Sequence, residues 1–154
     1  MDFDKVNRWV TLAANIGVVA GIFFLGTEMR QGNLATRIAA RDSASQGHID
    51  FMGDLLDSSI LAVASQKSLT NQELTDLESL QLTQWHARRW RHYERVYYLY
   101  QYGVISEQEW IGFENGITRA LNGSSKFWEI SRRNWQEDRS LLSKQFVEYV
   151  DALM

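Results

Sequence analysis

WVTLAANIGVVAGIFFLGT, residues Trp9 to Thr27, is a run of nineteen residues without a formal charge, bounded by Arg8 and Glu28. As a helix rising roughly 1.5 Å per residue it is about 28 Å long, close to the roughly 30 Å hydrocarbon thickness of a bilayer. The stretch predicts one membrane-spanning helix. A cleaved signal peptide is a competing reading. Against it stand Asp2 and Asp4 among the leading cations, an apolar run longer than the usual ~7–15 residues, and no small-x-small cleavage site after Leu25. A buried core helix is a third reading, prompted by Gly17, Gly21, Gly26, Thr11, Thr27 and Asn15 inside the run, although buried core segments are more often about 10–14 residues long. Lys5 and Arg8 precede the stretch while Arg30, Arg37 and Arg41 follow it, so the positive-inside bias puts the larger C-terminal part in the cytoplasm.

The rest of the chain bounds the architecture. Of 154 residues, 45% are apolar and 23% charged, which leaves room for an N-terminal tail and anchor at 1–31 and one small domain at 32–154. Proline is absent, and the alanine, leucine, glutamine, glutamate and arginine content favours helix almost throughout. The expected fold is all-α: one transmembrane helix followed by a small bundle of about four to five helices. A net charge of −3 argues against nucleic acid as a partner, since such proteins carry a basic excess. Having no cysteine, the chain forms no disulfides, thiolate metal sites or cysteine nucleophiles.

Helix signals run along the whole domain. Beyond the anchor, Leu34, Ile38, Ile49, Met52, Leu55 and Leu56 keep near-helical spacing, which favours one long helix continuing from the span, with Gly32, Gly47 and Gly53 as weak points. Thr70 and Glu73 have capping-box spacing, predicting a helix from about Asn71 to Tyr102 that Gly103 ends in a left-handed cap. A second box, Ser106 with Glu109, opens a helix with Trp110, Phe113, Ile117 and Leu121 on one face, stopping at Asn122-Gly123. Ser124 or Ser125 then caps a helix carrying Phe127, Trp128, Ile130 and Trp135, and Ser143 caps a last one carrying Phe146, Val147, Val150 and Leu153.

Within the span, Ala13, Gly17 and Gly21 repeat every four residues, and Gly17 with Gly21 forms a GxxxG. Small residues at that spacing let two backbones approach in lipid, and Asn15 adds a possible interhelical hydrogen bond. The plainer reading is that glycine and alanine are common in spanning helices. A second concentration is QWHARRWRHYERVYYLYQYG, residues 84–103, where Arg88, Arg89, Arg91 and Arg95 interleave with aromatic rings. The stripe Trp90, Tyr93, Tyr97 and Tyr100 reads first as core, with arginine planes stacked on rings and paired to Glu94, Glu107 and Glu109. The functional reading of the same arginines is contact with an anionic lipid headgroup or small anionic ligand.

No enzyme is expected. His86 and His92 are six apart, so a metal would need His48 and a carboxylate such as Asp50 from elsewhere. No serine or threonine sits in a nucleophile motif, and RALNGSSK, residues 119–126, lacks the spacing of a phosphate loop. Neither catalytic, cofactor-binding nor metal-binding residues are therefore assigned.

Three segments, NIGVVAGIFFLGTEMRQGNLATR, ARRWRHYERVYYLYQYGVISEQEW and FVEYVDALM, resemble a widespread group of uncharacterised bacterial single-span membrane proteins with a C-terminal helical domain. The resemblance implies a bacterial inner-membrane protein and supplies no activity or site residue. Together these features predict a membrane-anchored scaffold or regulatory subunit that contacts lipid and associates with itself or a larger membrane protein through Ala13, Gly17 and Gly21. The alternatives are an oligomeric pore or sensor lined by Thr11 and Asn15, and a lipid- or small-ligand-binding helical bundle.

Overall fold

The computed structural model describes residues 3–154, the Lys5 side chain excepted. It is all-α. Six helices follow in order: α1 (Phe3–Asp57), α2 (Ser59–Leu69), α3 (Asp76–Gln101), α4 (Glu107–Asn122), α5 (Lys126–Asp138) and α6 (Lys144–Asp151), with a 3-10 turn at Arg139–Leu141 before α6. Among the described residues there is no strand. Contacts divide the chain into two units, residues up to Ala39 and Ala40–Met154.

The first unit is the N-terminal part of α1. It contains the one described helix long and apolar enough to cross a membrane, and none of its apolar window is buried by the chain itself. Thr11 and Thr27 do not expose their hydroxyls as free donors: each bonds back to a carbonyl of its own helix, Asn7 at 2.9 Å and Phe24 at 2.7 Å. Such back-bonding satisfies a hydroxyl within a single helix. The long-helix reading holds, since α1 passes Gly32, Gly47 and Gly53 and ends at Asp57. An isolated glycine costs a helix only about 1 kcal/mol, which neighbouring turns absorb. The break falls instead at Ser58, whose extended backbone starts α2 while its hydroxyl accepts from the Leu61 amide.

The second unit is organised around α3, which packs against α2, α4 and α5. One end of its apolar face, with Trp90, Tyr93, Val96 and Tyr97, joins Trp110 and Ile117 of α4, Trp135 of α5, and Phe146 and Val150 of α6. The other, with Leu82 and Trp85, joins Phe51 of α1, Leu61 and Ala64 of α2, and Phe127 and Ile130 of α5. The aromatic stripe of α3 is thus core, and the two buried indoles of α3 find acceptors: Trp85 donates to the Phe51 carbonyl at 3.3 Å and Trp90 to that of Ser131 at 3.2 Å. Trp110 donates to the Tyr149 hydroxyl at 2.9 Å, which donates in turn to Glu114 at 2.8 Å.

Helix ends hold the departures from expectation. The Thr70–Glu73 box does not form, and α3 starts at Asp76, not near Asn71. Thr70 turns its hydroxyl back to the Gln66 and Lys67 carbonyls. Asn71 adopts a left-handed φ of 59°, while the Gln72 amide bonds to Lys67 and the Asn71 amide to Ser68. That is a Schellman stop to α2, with asparagine in the position usually held by glycine. Thr75 and Glu78 make the real capping box, and Lys67 reaches Glu78 at 2.7 Å to tie α2 to α3. Gly103 does end α3 with φ 65°, the Val104 amide bonding to Leu99, and Ser106 with Glu109 does box α4. Neither Ser125 nor Ser143 caps through its hydroxyl. Asn71 bonds instead to the Lys126 amide at 2.9 Å and Glu94 to the Ser143 amide at 2.6 Å, so remote side chains close both helix starts.

Candidate functional site

The arginine-rich turns of α3 separate into four different environments because successive residues on a helix point about 100° apart. Arg88 is exposed and forms an ion pair with Asp54 of α1. Arg91 pairs with Glu94 at 3.3 Å, and Arg95 donates to the Ser43 hydroxyl at 2.7 Å. Arg89 alone turns inward. Only 7% of it is exposed, and no carboxylate lies in ion-pair range of it among the described residues.

Arg89 borders a cavity of about 530 Å³ whose apolar wall includes Phe51, Leu55, Trp85, Phe113, Phe127 and Trp128. Its guanidinium carbon lies 4.7 Å from the Trp128 ring centre, 5.2 Å from that of Tyr93 and 5.7 Å from that of Trp85. Three aromatic faces thus stand where a carboxylate would ordinarily balance the charge. Nε and Nη2 donate to the Tyr93 hydroxyl at 3.0 and 2.8 Å, and Nη2 also donates to the Gly116 carbonyl at 3.2 Å. Nη1 is buried without an acceptor. Exposed Arg119 brings a second guanidinium to the same cavity, and α4 presents Gly112 and Gly116 there.

Close packing fixes part of this wall. A Cβ on Gly116 would sit 2.6 Å from the Tyr93 hydroxyl, so glycine is what lets that hydroxyl approach α4. Gly123 is held by the same kind of constraint, its Cα facing the Trp128 indole too closely for any side chain. Gly112 meets nothing within 4 Å.

His48 and His92 stack at 5.4 Å between ring centres, and His92 also lies against Phe51. Burial holds the His48 imidazole below its ordinary pKa, with the Arg89 charge acting in the same direction. It pushes His92 down to about 4, helped by His48 and Arg95. His86 is separate, wholly buried against Trp85 and Phe127, and burial pushes it to about 3. Among the described residues no group of three metal-ligating side chains forms, and Asp50 bonds Gln46 on its own helix. The cavity itself was not legible in the sequence. Its one signal was arginine among aromatic residues, and the spacing could not tell which arginine faced inward.

In the first unit, Gly17 and Gly21 have nothing within 4 Å of an added Cβ, so no packing inside the chain requires glycine at either position. Ala13 and Asn15 lie exposed on the same helix. No family model, curated protein or solved structure matches the chain.

Proposed function

We propose that this is a single-pass bacterial inner-membrane protein whose N-terminal helix anchors a cytoplasmic helical domain, and that it acts as a scaffold or regulatory subunit. The observation that carries the reading is the apolar run of α1, wholly unburied by its own chain. Leaving it in water is unfavourable by about 25 cal/mol per Å² of apolar surface, so lipid is its natural solvent. The anchor associates with a second copy of the chain or with a larger membrane protein through Ala13, Gly17 and Gly21. Support for that comes from two glycines that no contact within the chain explains. A pore is less well supported, because Thr11 satisfies its hydroxyl within the helix and leaves Asn15 as the main polar lining.

Gly17→Ile with Gly21→Ile tests the association. The wild-type chain, extracted in mild detergent, is expected to run as an oligomer or with a bound partner, and the double variant as a monomer of 17.9 kDa. Unchanged particle mass in the variant refutes the role of this face. Recovery of the wild-type chain in the aqueous fraction of broken cells refutes the anchor.

A further inference from the structure

A buried guanidinium without a carboxylate is electrostatically incomplete, since desolvation removes water from the charge and aromatic faces compensate only part of that loss. Arg89 is in this state, its Nη1 buried without an acceptor and its side chain part of the lining of a cavity of about 530 Å³. One turn away, Tyr93 accepts two N–H bonds from Arg89, which leaves its own O–H proton to donate. Two donors on α3 thus border one space whose remaining wall is largely aromatic and aliphatic. Cavities of this size and lining, with a few convergent polar groups, are typical of small-ligand sites.

We propose that the cavity binds an organic monocarboxylate with an apolar body, its carboxylate pairing with the Arg89 guanidinium, which turns Nη1 toward the space as the ligand enters, and accepting the Tyr93 O–H, while its body packs among Phe51, Trp85, Phe113 and Trp128. One negative charge suits one buried positive charge. A phosphate monoester, carrying about −1.5 to −2 at neutral pH, would bring surplus buried charge, with only Arg119 at the surface to offset it. A neutral amphiphile offers Nη1 an acceptor oxygen but leaves the guanidinium charge unbalanced. The proposal is independent of the membrane anchor, because every group it uses lies in the Ala40–Met154 unit.

Octanoate is the test probe, titrated into the full chain held in amphipol, with quenching of the Trp85 and Trp128 indoles as the readout. Octan-1-ol carries the tail without the charge, acetate the charge without the tail, and octyl phosphate the lipid-headgroup chemistry. Octanoate is expected to bind saturably and at least tenfold more tightly than the other three. Arg89→Met should weaken octanoate at least tenfold while leaving octan-1-ol unchanged, and Tyr93→Phe should weaken octanoate by a smaller factor. If Arg89→Met loses its near-ultraviolet circular dichroism, Gly112→Leu replaces it: that side chain enters open space beside the cavity and should abolish saturable quenching. Equal affinity for octanoate and octan-1-ol overturns the proposal. So do undiminished octanoate binding in a folded Arg89→Met chain, preference for octyl phosphate, and absence of saturable octanoate binding to the wild type.

Discussion

Two glycines one turn apart on α4 should respond to the same substitution with opposite sign. Both lie inside the helix, so alanine at either position gains about 0.5–1 kcal/mol by restricting the unfolded chain. At Gly112 the new methyl meets nothing within 4 Å, and that gain is the whole effect. At Gly116 it would lie 2.6 Å from the Tyr93 hydroxyl oxygen and 3.3 Å from the ring carbon bearing it. A rigid ring must then retreat by roughly 1 Å to reach normal contact, and overpacking of that kind costs about 1–3 kcal/mol. The same retreat loosens the two Arg89 hydrogen bonds to that hydroxyl, each involving a charged donor and together contributing about another 1–2 kcal/mol. Gly116→Ala is therefore expected to destabilise by about 1–4 kcal/mol net, and Gly112→Ala to stabilise by up to about 1 kcal/mol. Five of the six tryptophans lie between Trp85 and Trp135, so indole fluorescence during thermal unfolding reports chiefly this unit, with Trp9 alone on the N-terminal helix. At about 4 °C per kcal/mol the two melting temperatures should differ by roughly 6–20 °C, bracketing the wild type. Two alanines that move Tm the same way would falsify the packing argument for Gly116.

Acid should weaken the domain before carboxylates titrate. His86 and His92 stay neutral in the folded chain down to about 3 and about 4, whereas in the unfolded chain they take up protons near 6.5. Their contribution is complete above pH 6.5, falls by up to about 1.4 kcal/mol per pH unit for each group as pH drops below that, and stops falling below the folded value. Half-buried His92 contributes less than His86 because solvent screens it. His92→Phe keeps a ring beside His48, Phe51 and Phe113 and should flatten the urea-denaturation stability profile between pH 6 and 5; an unaltered slope contradicts the assignment. At the helix start, Thr75→Ala should cost about 1 kcal/mol and Thr70→Ala only a few tenths, since Thr75 caps and Thr70 is an exposed hydroxyl at a helix end. Chemical denaturation distinguishes the two, and a larger loss at Thr70 would restore the earlier helix start.

Local chemistry made much of this molecule readable from residue order. Nineteen uncharged residues define an apolar helix wherever they sit, the Ser106–Glu109 box and Gly103 mark helix ends through bonds reaching only a few residues, and the Trp90–Tyr93–Tyr97 stripe announces a buried face by its period. At the start of α3 the Thr70–Glu73 spacing misled, because Asn71 takes a left-handed conformation that ends α2 there and leaves the box to Thr75 and Glu78. Long-range placement belonged to the tertiary structure alone. Asn71 and Glu94 close the starts of α5 and α6 from 55 and 49 residues away, and four arginines of similar chemistry were separated by the angle at which each leaves α3. Arg89 became a buried, incompletely satisfied charge only because Phe51, Tyr93, Gly116 and Trp128 converge around it from four helices. Capping bonds and periodicity act over a turn or two of chain; desolvation of a charge depends on everything packed within a few ångströms, whatever its distance in sequence.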